Sequence, residues 1–185
     1  MNSLLKISFF LSVLTSFAQE TNLKNIQKLT FGGDNAEAYF SPDGSKLTLQ
    51  ISNPKANIPC DQIFLYDLAK QPFGQQNLSL ISTGKGRTTC SYFMPDGKHI
   101  IYASTHASSA DCPAPPKPRD GKYLWAVYPE FDIYIADLNG NIVKQLTNTP
   151  GYDAEAVVSP DGKKIAFTST RSGDLELWTM DIDGT

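Results

Sequence analysis

The sequence is poor in the groups most enzymes need. It holds two histidines, His99 and His106, and three cysteines, Cys60, Cys90 and Cys112. It contains no G-x-S-x-G nucleophile turn, no H-E-x-x-H metal-binding pair and no phosphate-binding P-loop. A Ser–His–Asp set cannot be assembled from the spacing, because the two histidines fall on opposite faces of the fold read below. No catalytic residue, cofactor or metal site is therefore expected. Basic residues are not in surplus either. The net charge of −3 argues against nucleic acid, which asks for clustered Lys and Arg. Long apolar runs are also missing. The segment from Ile7 to Phe17 is shorter than the roughly 20 residues a membrane span requires, so no stable membrane anchor is expected.

That short run has another reading. One cation lies in residues 1–6, and Ser16 and Ala18 place small side chains at −3 and −1 of a cut before Gln19. Residues 1–18 thus read as a secretory signal cleaved between Ala18 and Gln19, which predicts a periplasmic or secreted protein. Oxidising conditions then allow one disulfide among the three cysteines, with one thiol left over.

Three copies of one turn organise the rest of the chain: Ser41-Pro42-Asp43-Gly44, Met94-Pro95-Asp96-Gly97 and Ser159-Pro160-Asp161-Gly162. Pro presets φ for the first central position of a type I turn, Asp suits the second, and Gly supplies the left-handed residue that closes the hairpin as a bulge. Apolar alternation comes after each copy, at Leu47, Leu49 and Ile51, at Ile100 and Tyr102, and at Ile165 and Phe167. Period two marks half-buried strands. A further strand ending in Asp comes next each time, at Ile63 to Asp67, Ile133 to Asp137 and Leu177 to Asp181. Asn139-Gly140 and Asp183-Gly184 then read as tight primed turns.

Each repeat is therefore four antiparallel strands, A to D, and the fold class is an all-β propeller of four-stranded meanders. Residues 19–30 read as a lone N-terminal strand that closes a blade as its D strand, because 25–30 match 141–147. Residues 31–82 form blade one and 83–147 blade two, with a Pro-rich insertion at 105–130. Residues 148–185 form an incomplete blade three. The chain reads as truncated to about three blades, where closure needs about four to eight. Unpaired strand edges would invite self-association.

The stretch Tyr152-Asp153-Ala154-Glu155-Ala156-Val157-Val158-Ser159-Pro160-Asp161-Gly162-Lys163-Lys164-Ile165-Ala166-Phe167 resembles the WD-like repeat of the bacterial TolB propellers. So does Asp132-Ile133-Tyr134-Ile135-Ala136-Asp137-Leu138-Asn139-Gly140. The resemblance covers about residues 25 to 185. It implies an exported scaffold that binds an envelope protein, a peptide or a glycan. The same blades occur in prolyl-oligopeptidase-like serine peptidases, which is the alternative.

In such a blade the B–C and D–A connections share one face, where binding is usually placed. Both the insertion and the three cysteines fall there. The Cys112-to-Pro118 run is expected to be extended, with Trp125 and Tyr128 just beyond it to grip a ligand. Aligning the A strands on their Pro makes Glu37, Cys90 and Glu155 equivalent, near the channel mouth. Arg87, His106, Trp125, Asp153 and Arg171 complete the candidate binding set. Any of the three cysteine pairings would pin a loop and stabilise by about 2–4 kcal/mol.

Overall fold

The computed structural model describes residues 22–122 and 124–185. The expected signal segment and its Ala18–Gln19 cut lie outside the described residues. Eleven strands form three antiparallel sheets among those described. Blade one comprises β1 (Asp34–Phe40), β2 (Lys46–Asn53), β3 (Ile58–Asp67) and β4 (Leu78–Leu80). Blade two comprises β5 (Thr88–Phe93), β6 (His99–Ser104), β7 (Asp132–Asp137) and β8 (Ile142–Gln145). Blade three has three strands, β9 (Asp153–Val158), β10 (Lys164–Ser169) and β11 (Glu176–Asp181). Strands succeed one another in order within every sheet, as in a meander.

The Pro-Asp-Gly turns form as the sequence predicts. The Gly44, Gly97 and Gly162 amides donate to the Ser41, Met94 and Ser159 carbonyls, and all three glycines sit at positive φ, between 63° and 71°. A side chain at that φ is strained, which is why glycine closes each hairpin. The C–D turns differ from expectation. Gly140 bonds back to Asp137 and Gly184 to Asp181, and only the glycine of each turn has positive φ. They are type I turns with a glycine bulge, not primed turns. At Asp137 the cause is local: its carboxylate accepts the Asn139 and Asn141 amides, both at 2.9 Å, and holds the type I geometry.

Residues 22–33 carry no strand, and the first residues of the D strand expected over 19–30 lie outside the described residues. A strand persists only against a partner strand. Leu29 instead packs onto the apolar cluster of blade one, which includes Leu47, Leu49 and Tyr66.

Burial reports how the blades sit. In β6 every residue from Ile100 to Ser104 is buried, so both faces of that strand are covered. One face packs with Ile63 and Ile81 of blade one. The other packs with Ala156, Ile165 and Phe167 of blade three. β10 keeps the simple alternation expected of a sheet covered on one face. Neighbouring A strands touch: β1 contacts β5, and β5 contacts β9. Tyr39 lies on Tyr92, ring centroids 5.5 Å apart. The A strands therefore run side by side along the inner edge of the blades.

Candidate binding site

Each A strand breaks its ladder at the same place. Register shifts fall between Ala36 and Tyr39, between Thr89 and Tyr92, and opposite Ala166 to Thr168 in β9. Two residues there oppose one, which is a β-bulge. Its first residue is Glu37, Cys90 or Glu155, at φ of 53°, 51° and 58°. Such a backbone is uncommon for residues with a Cβ and is concentrated at functional sites. All three side chains line one cavity of about 250 Å³ with Trp125 and Tyr39. Tyr39 donates to Glu37 (2.6 Å) and Tyr152 to Glu155 (3.0 Å). Neither carboxylate has a cationic partner among the described residues.

A larger cleft of about 660 Å³ adjoins it, and Glu37, Cys90 and Trp125 border both. One wall is the insertion, through Pro115, Pro116, Pro118 and Trp125. The opposite wall is the seam between blades one and two. There Arg87 pairs with Asp61, Thr88 donates to the Asp61 carbonyl (3.1 Å), and Thr89 donates to Gln50 (3.0 Å). Gly86 positions this seam. At φ of 58°, a Cβ on it would lie 2.8 Å from the His106 amide nitrogen. Gln62 donates to its carbonyl (2.8 Å). Tyr128 connects the walls, with its ring 6.0 Å from the Arg87 guanidinium and its hydroxyl donating to the Ala114 carbonyl (3.0 Å). Cys60, at the start of β3, is bonded to Cys112 in the insertion, with Cα atoms 5.9 Å apart. The bridge thus joins blade one to the insertion of blade two.

Cys90 is the free cysteine. Burial pushes its thiol up to about 11; the Thr89 hydrogen bond opposes this, and the Glu37 and Glu155 charges add to it. Tyr39 is raised to about 12, chiefly by its hydrogen bond to Glu37. A thiol that stays protonated is a poor nucleophile. Its alkylation by iodoacetamide at pH 8 should run about a hundredfold slower than that of a free cysteine, and rise about tenfold per pH unit up to about pH 10. Mass spectrometry of the Cys90 peptide over time measures this; a rate matching that of glutathione would contradict the burial argument.

No family model matches the chain. The Tol-Pal system protein TolB of Bordetella pertussis is 40% identical over 53 residues, which are 28% of this chain and 12% of that protein. A crystal structure of TolB from Acinetobacter baumannii superposes with a TM-score of 0.58 at 27% identity, over 83% of this chain and 31% of that one. This chain carries propeller blades similar to those of TolB. A puromycin hydrolase structure also superposes, with a TM-score of 0.52 at 17% identity over 86% of this chain and 24% of that one, a likeness of fold alone. The chain spans less than a third of the length of each of these proteins.

On this TolB-like framework the expected residues separate into two groups. Glu37, Arg87, Cys90, Trp125 and Glu155 gather around the two adjoining cavities. His106, Asp153 and Arg171 do not line them. His106 stacks on Tyr134 (4.4 Å) and approaches Ser104 Oγ (2.9 Å); burial, aided by Lys85, lowers its pKa and favours the neutral ring. Arg171 donates to both oxygens of the buried Asp153 (3.0 and 3.1 Å). It also lies over the Phe167 and Trp178 rings, so both residues of the pair are engaged in packing. Asp61 and Gln50, which reach the cleft from blade one, are not among the residues the sequence singles out. Their signal is weak, since each is a polar residue in a strand with no motif around it. Among the described residues, no group of three or more His, Cys, Asp and Glu is placed to hold a metal ion. No helix described is long and apolar enough to cross a membrane.

Proposed function

We propose that the protein is an exported propeller scaffold of the cell envelope that binds a peptide segment or a glycan in the cleft between the Pro-rich insertion and the inner strand edges. The observation that carries this reading is Trp125. Its side chain is 67% exposed, yet it borders both cavities. A large exposed aromatic costs little entropy to fix and serves as an anchor on binding. Glu37 and Glu155 beside it favour a ligand carrying a Lys or Arg side chain. Periplasmic or secreted residence agrees with the Cys60–Cys112 bridge, since disulfides persist in oxidising compartments. The outer edge of β11, unpaired among the described residues, is where a further strand would add, including one from a second copy.

The reading is tested by isothermal titration calorimetry with two panels, lysine-containing hexapeptides and chito-oligosaccharides. One panel should saturate the signal. Trp125→Ala should then weaken binding about 30-fold with an unchanged melting temperature. Silence from both panels would overturn it. A second reading, in which these blades belong to a prolyl-oligopeptidase-like serine peptidase, draws on the puromycin hydrolase likeness, which reaches the fold alone.

A further inference from the structure

Residues 105–110 of the insertion are bonded to blade two, but its proline stretch from residue 113 on is held by few attachments. Among the described residues from 113 to 126, its hydrogen-bond contacts are the Tyr128 hydroxyl on Ala114, the Trp125 side chain with Tyr152 and a local Arg119–Lys122 bridge; just before Cys112, the Gly86 amide donates to the Ala110 carbonyl (2.9 Å). The disulfide is the covalent attachment. A closed circuit of contacts runs round the cleft: Cys60 is bonded to Cys112, Ala114 accepts from Tyr128, Tyr128 lies against Arg87, and Arg87 pairs with Asp61, the neighbour of Cys60. Pro115, Pro116 and Pro118, just past Cys112, are the wall that this circuit keeps in place. Proline-rich chain is stiff, so fixing its start also fixes the direction of the residues beyond.

We propose that the Cys60–Cys112 bridge is a redox switch that sets whether the insertion walls the cleft. The co-reactant is a protein dithiol. Its thiolate attacks Cys112 Sγ, since Cys112 is half-buried whereas Cys60 is 2% exposed. The S–S bond breaks, Cys112 enters a mixed disulfide, and Cys60 leaves as a thiolate that takes a proton. The second thiol of the dithiol then displaces Cys112, which is protonated in turn. Two electrons and two protons have passed to the bridge, and the dithiol is oxidised to its disulfide. The wall is left with the Tyr128–Ala114 and Trp125–Tyr152 side-chain contacts alone and swings out. This deepens the binding reading above, since the switch acts on the same cleft.

The test does not depend on a ligand. Trypsin cleaves after Arg119 and Lys122, both exposed in the insertion. Cleavage of the full chain there should be about tenfold faster after reduction by a dithiol, because a segment freed of its tether opens locally. Cys112→Ser should match the reduced chain without reductant. Near-UV circular dichroism of both should keep the aromatic signature of packed blades. Equal cleavage rates in the two redox states, or loss of the whole fold on reduction, would each overturn the switch. Cys90→Ser should respond as the wild type does; loss of the response in that variant would assign the exchange to Cys90 and also overturn it. A faster cleavage together with silence in both ligand panels would leave the switch standing and refute the binding reading.

Discussion

Phe167→Ala is expected to destabilise the chain by about 3–5 kcal/mol, the range for removing a buried aromatic from a core. Phe167 is 2% exposed and lies in the cluster that holds blade three to blade two, with Met94, Ile101, Ile133 and Ile165. It also carries the Arg171 guanidinium, 4.8 Å from the ring centroid. Alanine therefore leaves a cavity at the seam and withdraws a face from a cation. Urea unfolding measures the loss; a change under about 1 kcal/mol would mean that the blades do not rely on this seam.

Asp153→Ala should cost about 3 kcal/mol, the lower end of the range for breaking a buried ion pair. Asp153 is 1% exposed and accepts two hydrogen bonds from Arg171, which alanine would leave without a counter-charge, over the Phe167 and Trp178 rings with Ser169 Oγ as its remaining polar partner. The cost stays at the lower end because the Arg171 side chain is 28% exposed and water reaches part of it. The same unfolding assay on Asp153→Ala, Phe167→Ala and the double variant should show a combined loss smaller than additive. Both changes release the one guanidinium, and residues that share a partner couple. Strict additivity would show that Arg171 is held by neither.

The parts of this fold that repeat were legible in the sequence. Pro and Gly at fixed offsets state their own dihedral angles, so the three hairpins and the two-residue alternation after them could be placed without coordinates. The equivalence of Glu37, Cys90 and Glu155 came from the same alignment, although their left-handed backbone did not: nothing in a Glu announces positive φ. Features that depend on distant segments stayed hidden. Cys60 and Cys112 are 52 residues apart and belong to different blades, and three pairings fitted the chain equally well. Arg171 and Asp153 looked like two candidates for a ligand, but β9 and β10 place them close enough to satisfy each other. At Asn139-Gly140 the primed turn that the dipeptide predicts does not form because the Asp137 carboxylate, two residues before Asn139, decides the turn type.

The A-strand bulges give the molecule an independence between scaffold and specificity. At each bulge one side chain leaves the pleated ladder and is presented to the shared hollow, while the pairs on either side keep their hydrogen bonds. Identity at that address is not dictated by the sheet, which is why a thiol can stand between two carboxylates. Successive blades can thus be recoded one position at a time, giving the hollow a new chemical lining on an unaltered frame.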